Sequence, residues 1–278
     1  MTLVRGLGYF ESKAMSFVQL NNIVHRYVDE GAKEKPAIVF ANSLGSDLRI
    51  WDDLAARLAA DFHVIRYDKR GHGLTDAVPA PYSAKDLADD VARLLDALEI
   101  GEAVICGVSV GGIIAQALAL NHPRRVRALA LCDTGARIGS VESWEQRIDT
   151  VRSAGLKALE SPTMERWFSS SFRARRPADV RGYANMLLQT SAEGYLGTCY
   201  ALRDTDFRES AARINYPTLV LCGAEDIATP PELGKELAGL IPGAKFSLIE
   251  NAAHLPCIEQ PEIVARRMMQ FFQEVQIV

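Results

Sequence analysis

Short runs of β-branched and other apolar residues recur at 17–20, 23–28, 37–40, 63–67, 103–106, 126–132, 218–222 and 245–249, and such runs predict strands. Asn21-Asn22 separates the first two and predicts a hairpin turn. From residue 36 onward the runs are nearly all apolar rather than alternating, as a parallel sheet covered on both faces requires. Segments of helical period lie between them at 51–60, 84–98, 110–121, 231–240 and 261–275, the third stopped by Pro123. This alternation predicts a doubly wound α/β sheet.

The alternation fails over 136–213. Helical periodicity continues there at 144–154, 163–171, 180–190 and 194–203, with no convincing strand. The pattern predicts a helical lid inserted after the sixth strand, so the expected organisation is a core of 15–135 and 214–278 with a cap of 136–213. Residues 1–14 fit no element and are read as a leader, disordered or non-native to the protein. The insertion carries Trp144, Trp167, Tyr183 and Tyr195, and twelve Lys and Arg against ten Asp and Glu. Its near-balanced charge predicts that a few functional arginines sit among solvated ones.

Composition narrows the function. The 278 residues are 48% hydrophobic and 24% charged, the range of folded soluble proteins, and the formal charge of −4 offers no basic field for nucleic acid or anionic lipid. Five widely spaced cysteines form no Cys-x-x-Cys or Cys/His cluster, so they are expected to be reduced, buried and free of metal. No apolar run approaches membrane-spanning length, and the N-terminus lacks the ordered regions of a signal peptide. A cytoplasmic protein acting on a small molecule is expected. The oligomeric state, a homo-oligomer included, is left open.

The candidate chemistry begins at GVSVG (107–111), which follows a strand and runs directly into a helix. A Gly-x-Ser-x-Gly sequence in that setting predicts a strained turn that exposes the Ser109 hydroxyl as a nucleophile. A serine needs a base within reach and a carboxylate to orient that base, supplied by loops after later strands. Asp226 in GAEDIATPP (223–231) and His254 in ENAAHLP (250–256) stand at such positions. Glu225 and Asp133 are rival acids; the turn after Asp226 favours it. The other histidines, His25, His63, His72 and His122, fall elsewhere in the pattern. The oxyanion of an acyl transfer needs two backbone N–H groups, expected from Val110 and from Leu44, with Ser43 next, in ANSLGSD (41–47). Asn42 is expected to brace that loop, and DKRGHG (68–73) to hold neighbouring loops together without a catalytic role.

Together these elements resemble the α/β-hydrolase superfamily from about residue 17 to the end. More narrowly the chain is similar to the 3-oxoadipate enol-lactonases, through NSLGSDLRIW (42–51), GARIGSVESW (135–144), TSAEGY (190–195) and YALRD (200–204). Cys257 departs from the pattern, and the leader has no counterpart. The resemblance implies an α/β-hydrolase fold and a serine esterase that hydrolyses 3-oxoadipate enol-lactone to 3-oxoadipate in aromatic catabolism, with no cofactor or metal. It also implies a carboxylated substrate, for which Arg137 and Trp144, with Asn42 and Ser43, are candidate contacts. A carboxylesterase or carbon–carbon bond hydrolase of the same fold is the alternative. A non-catalytic ligand-binding member is a third reading.

Overall fold

The computed structural model describes residues 16–278, so the expected leader lies outside the described residues. Its hairpin joins β1 (Ser16–Leu20) to β2 (Ile23–Glu30) through Asn21 and Asn22, both with positive φ, the backbone of a tight two-residue turn. The sheet continues with β3 (Ala37–Ala41), β4 (His63–Tyr67), β5 (Ala103–Val108), β6 (Val126–Cys132), β7 (Thr218–Gly223) and β8 (Lys245–Ile249). The order is β1-β2-β4-β3-β5-β6-β7-β8. Pairing is parallel from β4 through β8 and antiparallel at β1–β2 and β2–β4.

The apolar runs have a direct cause. Every residue of β3, β4, β5 and β7 is buried, because helices cover both faces. These are α1 (Asp52–Leu58), α2 (Ala84–Ala97), α3 (Val110–Asn121) and, after the insertion, α9 (Pro231–Leu240), α10 (Pro256–Glu259) and α11 (Pro261–Glu274). Ser83 and Asp86 close a reciprocal capping box at the start of α2. A 3₁₀ turn over Leu48–Trp51, capped by Asp47, precedes α1 and buries Trp51 against Phe40 at 4.9 Å between ring centres. Burying a side chain of that size contributes roughly 2–3 kcal/mol.

Between β6 and β7 the chain forms α4 (Val141–Ala154), α5 (Glu160–Trp167), α6 (Ser170–Arg175), α7 (Pro177–Gln189) and α8 (Ala192–Asp204). The single helix expected over 163–171 is two. Phe168 is extended, and the Ser169 hydroxyl caps α6 by accepting from the Phe172 amide. The Glu259 carboxylate holds the break by accepting from the Ser169 amide and hydroxyl, and it also accepts from the Ala253 amide beside His254. At the other end of the insertion, Gly194 of α8 lies against Gly71 so closely that a Cβ on either would strike the other's backbone. No helix among the described residues is long and apolar enough to cross a membrane.

Candidate active site

Ser109 stands at the junction of β5 and α3 with φ 60° and ψ −118°, a conformation that L-residues rarely adopt. Its surroundings hold it there: the Ser109 amide donates to the Cys132 carbonyl at 3.0 Å, and the Thr134 hydroxyl donates to the Ser109 carbonyl at 2.8 Å. The flanking glycines are required by close approach. A Cβ on Gly107 would collide with the Gly111 carbonyl, and one on Gly111 with the Ala41 carbonyl. Ser109 is 7% exposed and lines a cavity of about 570 Å³.

His254 lines the same cavity from the loop after β8. Its Nδ1 lies 2.8 Å from Asp226 Oδ2. The turn after β7 prepares that carboxylate: Oδ1 accepts from the amides of Ala228 (2.7 Å) and Thr229 (3.1 Å), and Oδ2 accepts from the Thr229 hydroxyl at 2.6 Å. Burial opposes ionisation of Asp226, but the attraction of His254 and these donors outweighs it and holds the carboxyl below its ordinary value. Of the rival acids, Glu225 is exposed, and Asp133 is buried with Oδ1 accepting from the Gly223 amide at 2.7 Å. Burial, and then the negative charge of Asp226, push the Asp133 carboxyl well above its ordinary value, the opposite direction to Asp226. The remaining histidines have partners elsewhere: His63 with Asp29, His122 with Asp89, His25 near Asp90, and His72 with Gly45.

The loop after β3 carries Ser43 and Leu44 into the cavity wall. Among the described residues neither the Leu44 nor the Val110 amide donates a hydrogen bond. Buried side chains from the turn after β4 fasten this loop. Lys69 Nζ donates to the Ser43 carbonyl at 2.6 Å, the Gly45 amide donates to His72 Nε2 at 3.0 Å, and Asp68 accepts from the Leu48 amide at 2.8 Å. Asn42 is wholly buried, donates to the Ser46 carbonyl as a brace within the loop, and stands behind the residues that line the cavity.

Trp144 lines the cavity with its indole N–H donated to the Ile138 carbonyl at 2.6 Å, which leaves the ring itself as the lining surface. Arg137 does not line it. Its guanidinium is turned to Asp206 at 3.4 Å, so the arginine expected to meet a substrate carboxylate is spent on an ion pair outside the cavity. Arg147, Thr163, Arg166 and Tyr195 are cavity residues that sequence reasoning missed. The available signal was helical spacing, since Arg147 follows Trp144 by three positions and Arg166 follows Thr163 by three. Among the described residues no cluster of three or more His, Cys, Asp or Glu could hold a metal.

Residues 36–261 match the family described as alpha/beta hydrolase fold. The chain is 36% identical over 241 residues to 3-oxoadipate enol-lactonase 2 of Acinetobacter baylyi, covering 87% of this chain and 90% of the relative. It is 35% identical over 246 residues to 3-oxoadipate enol-lactonase 1 of the same organism, covering 88% and 92%. The crystal structure of the enol-lactonase from Burkholderia xenovorans superposes with a TM-score of 0.90 at 36% identity, covering 93% of this chain and 100% of that one. A strand–serine–helix elbow, an eight-stranded sheet and relatives matched along nearly their whole length lead to one conclusion: the chain belongs to the α/β-hydrolase superfamily.

Proposed function

We propose that this protein is a serine-dependent carboxylic ester hydrolase that opens an enol-lactone ring, with 3-oxoadipate enol-lactone as its substrate. The observation that carries the reading is that His254, hydrogen-bonded to the buried Asp226, lines one cavity with Ser109 on its strained turn. The relatives' names supply the substrate class.

Ser109 is the nucleophile. His254 removes its proton as the oxygen attacks the lactone carbonyl, and Asp226, held ionised, stabilises the imidazolium and fixes the ring's orientation. The free amides of Leu44 and Val110 receive the oxyanion, each such donor being worth about 2.7–4 kcal/mol. Collapse of the tetrahedral intermediate breaks the ring C–O bond. An enolate leaves more readily than an alkoxide but stays tethered to the acyl group, where it could reclose. The His254 imidazolium gives its proton to the departing enolate, and tautomerisation of the resulting enol to the ketone removes that internal nucleophile. Water activated by His254 then cleaves the acyl-enzyme, frees the diacid and restores Ser109. The five cysteines are free and buried, which suits the reducing cytoplasm as the site of action.

Loss of ultraviolet absorbance from freshly generated 3-oxoadipate enol-lactone tests the assignment. Rapid loss that falls about 10⁴-fold or more in Ser109→Ala is expected. Lactone loss that survives this substitution would sink the serine mechanism. Slow loss beside brisk hydrolysis of a simple aryl ester would sink the substrate.

A further inference from the structure

The two N–H groups assigned to the oxyanion belong to peptide groups that are gripped from behind. The Leu44 N–H shares its peptide with the Ser43 carbonyl, and the Val110 N–H shares its peptide with the Ser109 carbonyl. Three donors converge on the first carbonyl: Lys69 Nζ at 2.6 Å, the Ser46 hydroxyl at 3.0 Å and the Ser46 amide at 3.3 Å. On the second, the Thr134 hydroxyl donates at 2.8 Å beside the Gly112 and Ile113 amides at 2.9 and 3.3 Å. Those two amides are the ordinary start of α3, but Thr134 reaches in from the loop after β6. Neither Lys69 nor Thr134 is among the cavity-lining residues; both are buried behind its wall.

Lys69 is the less expected of the pair. A lysine is seldom fully buried without a carboxylate partner. Here Nζ ends against the Ser43 carbonyl and, at 3.5 Å, that of Ser46, with no carboxylate in ion-pair range among the described residues. A brace alone could be built from a neutral amide, as Asn42 does on the Ser46 carbonyl, and a buried amine is the costlier choice. What the amine adds is electrostatic. A donor on a peptide oxygen draws electron density away from the nitrogen of the same resonance unit, and such coupling strengthens a hydrogen bond by about 10–30%. Applied to an oxyanion donor worth about 10²- to 10³-fold in kcat, this amounts to about 2- to 10-fold in rate.

We propose that Lys69 and Thr134 are positioning residues for the oxyanion, each polarising, through the peptide it holds, the N–H that meets the developing charge. The proposal rests on the serine-hydrolase reading with Leu44 and Val110 as donors, and it goes further by naming what sets their strength.

Lys69→Met and Thr134→Val keep the length or shape of the side chain and remove the donor. On the neutral ester 4-nitrophenyl hexanoate each should lower kcat and kcat/KM alike, by about 2- to 10-fold, the pattern of an interaction made in the transition state. Thr134→Ser returns the hydroxyl and should recover most of the loss. Ser46→Ala, which takes another donor from the Ser43 carbonyl, should act in the same direction as Lys69→Met.

Pentyl trifluoromethyl ketone separates polarisation from a displaced loop. Ser109 Oγ adds to its carbonyl carbon, the serine proton passes to His254, and the ketone oxygen becomes a lasting oxyanion. The corresponding alcohol enters the cavity but cannot add. In both variants Ki for the ketone should rise by the factor by which kcat/KM falls, while Ki for the alcohol stays as in wild type. Equal weakening of ketone and alcohol, or unchanged kcat in both Lys69→Met and Thr134→Val, overturns the proposal. Should Lys69→Met not fold, Ser46→Ala and the two Thr134 variants decide by the same readings. Activity that survives Ser109→Ala would remove the serine reading itself; activity lost in Ser109→Ala but intact in Lys69→Met and Thr134→Val would remove this inference alone.

Discussion

Asp133 and Asp226 show how position divides two like residues. Both are buried, yet Asp226 receives two amides, a hydroxyl and His254, whereas Asp133 receives the Gly223 amide through one oxygen and has no partner for the other. The carboxyl with more donors is shifted below its ordinary value, and the other is shifted up by burial and by its neighbour's charge. Asp133 in the folded chain therefore keeps a proton that the unfolded chain releases near the ordinary aspartate value. Its contribution to stability is complete below that value and declines as pH rises toward its elevated folded pKa. Asp133→Asn mimics the neutral form at every pH. Its thermal midpoint should exceed wild type by about 2–4 °C at pH 8, and the gain should vanish as pH approaches 4. A gain constant with pH would show that Asp133 does not titrate this way. Gly107 allows a sharper test of local geometry, because a methyl group there meets the Gly111 carbonyl with no flexible side chain to yield. Gly107→Ala should cost about 3 kcal/mol or more, and chemical denaturation would measure it.

At the level of elements, the insertion is fastened to the core at points that also frame the site. Glu259 of α10 binds Ser169 between α5 and α6 and Ala253 next to His254, so one carboxylate sets both the break in the insertion and the position of the histidine loop. Glu259→Ala leaves three donors without their acceptor and should cost about 2–3 kcal/mol. Proteolysis should then begin within 160–176, and kcat should fall even on the neutral ester. An unaltered cleavage pattern would contradict the fastening role. The turn after β4 does comparable work for the loop after β3, where Lys69 and His72 hold the backbone around Leu44. Strand ends, the elbow and both loops of the acid–histidine pair could be read from the chain because each depends on local pattern: an apolar run, a Gly-x-Ser-x-Gly turn, a polar loop at a strand's carboxyl end. The division between α5 and α6 could not, since the group that stabilises it lies 90 residues away in sequence.

At the scale of the whole molecule, a chain of net charge −4 encloses a cavity lined by two arginines, Arg147 and Arg166, and by no Asp or Glu. That internal field should capture anionic substrates and weaken as salt screens its mouth. Between about 20 and 300 mM ionic strength, kcat/KM on mono(4-nitrophenyl) adipate should drop about two- to fivefold while the neutral ester changes little. Equal slopes for both would argue against the field. By itself the sequence determined the parallel core, the serine on its elbow, and the loops that carry Asp226 and His254, because backbone sterics and burial on both sheet faces act over a few neighbouring residues. Which arginines face the cavity was decided by tertiary structure. Arg137, Arg147 and Arg166 are alike in a nearly balanced helical stretch. They are told apart when the packing of α4 and α5 sets the rotation of each helix, and when Asp206 neutralises Arg137 while no acid reaches the other two.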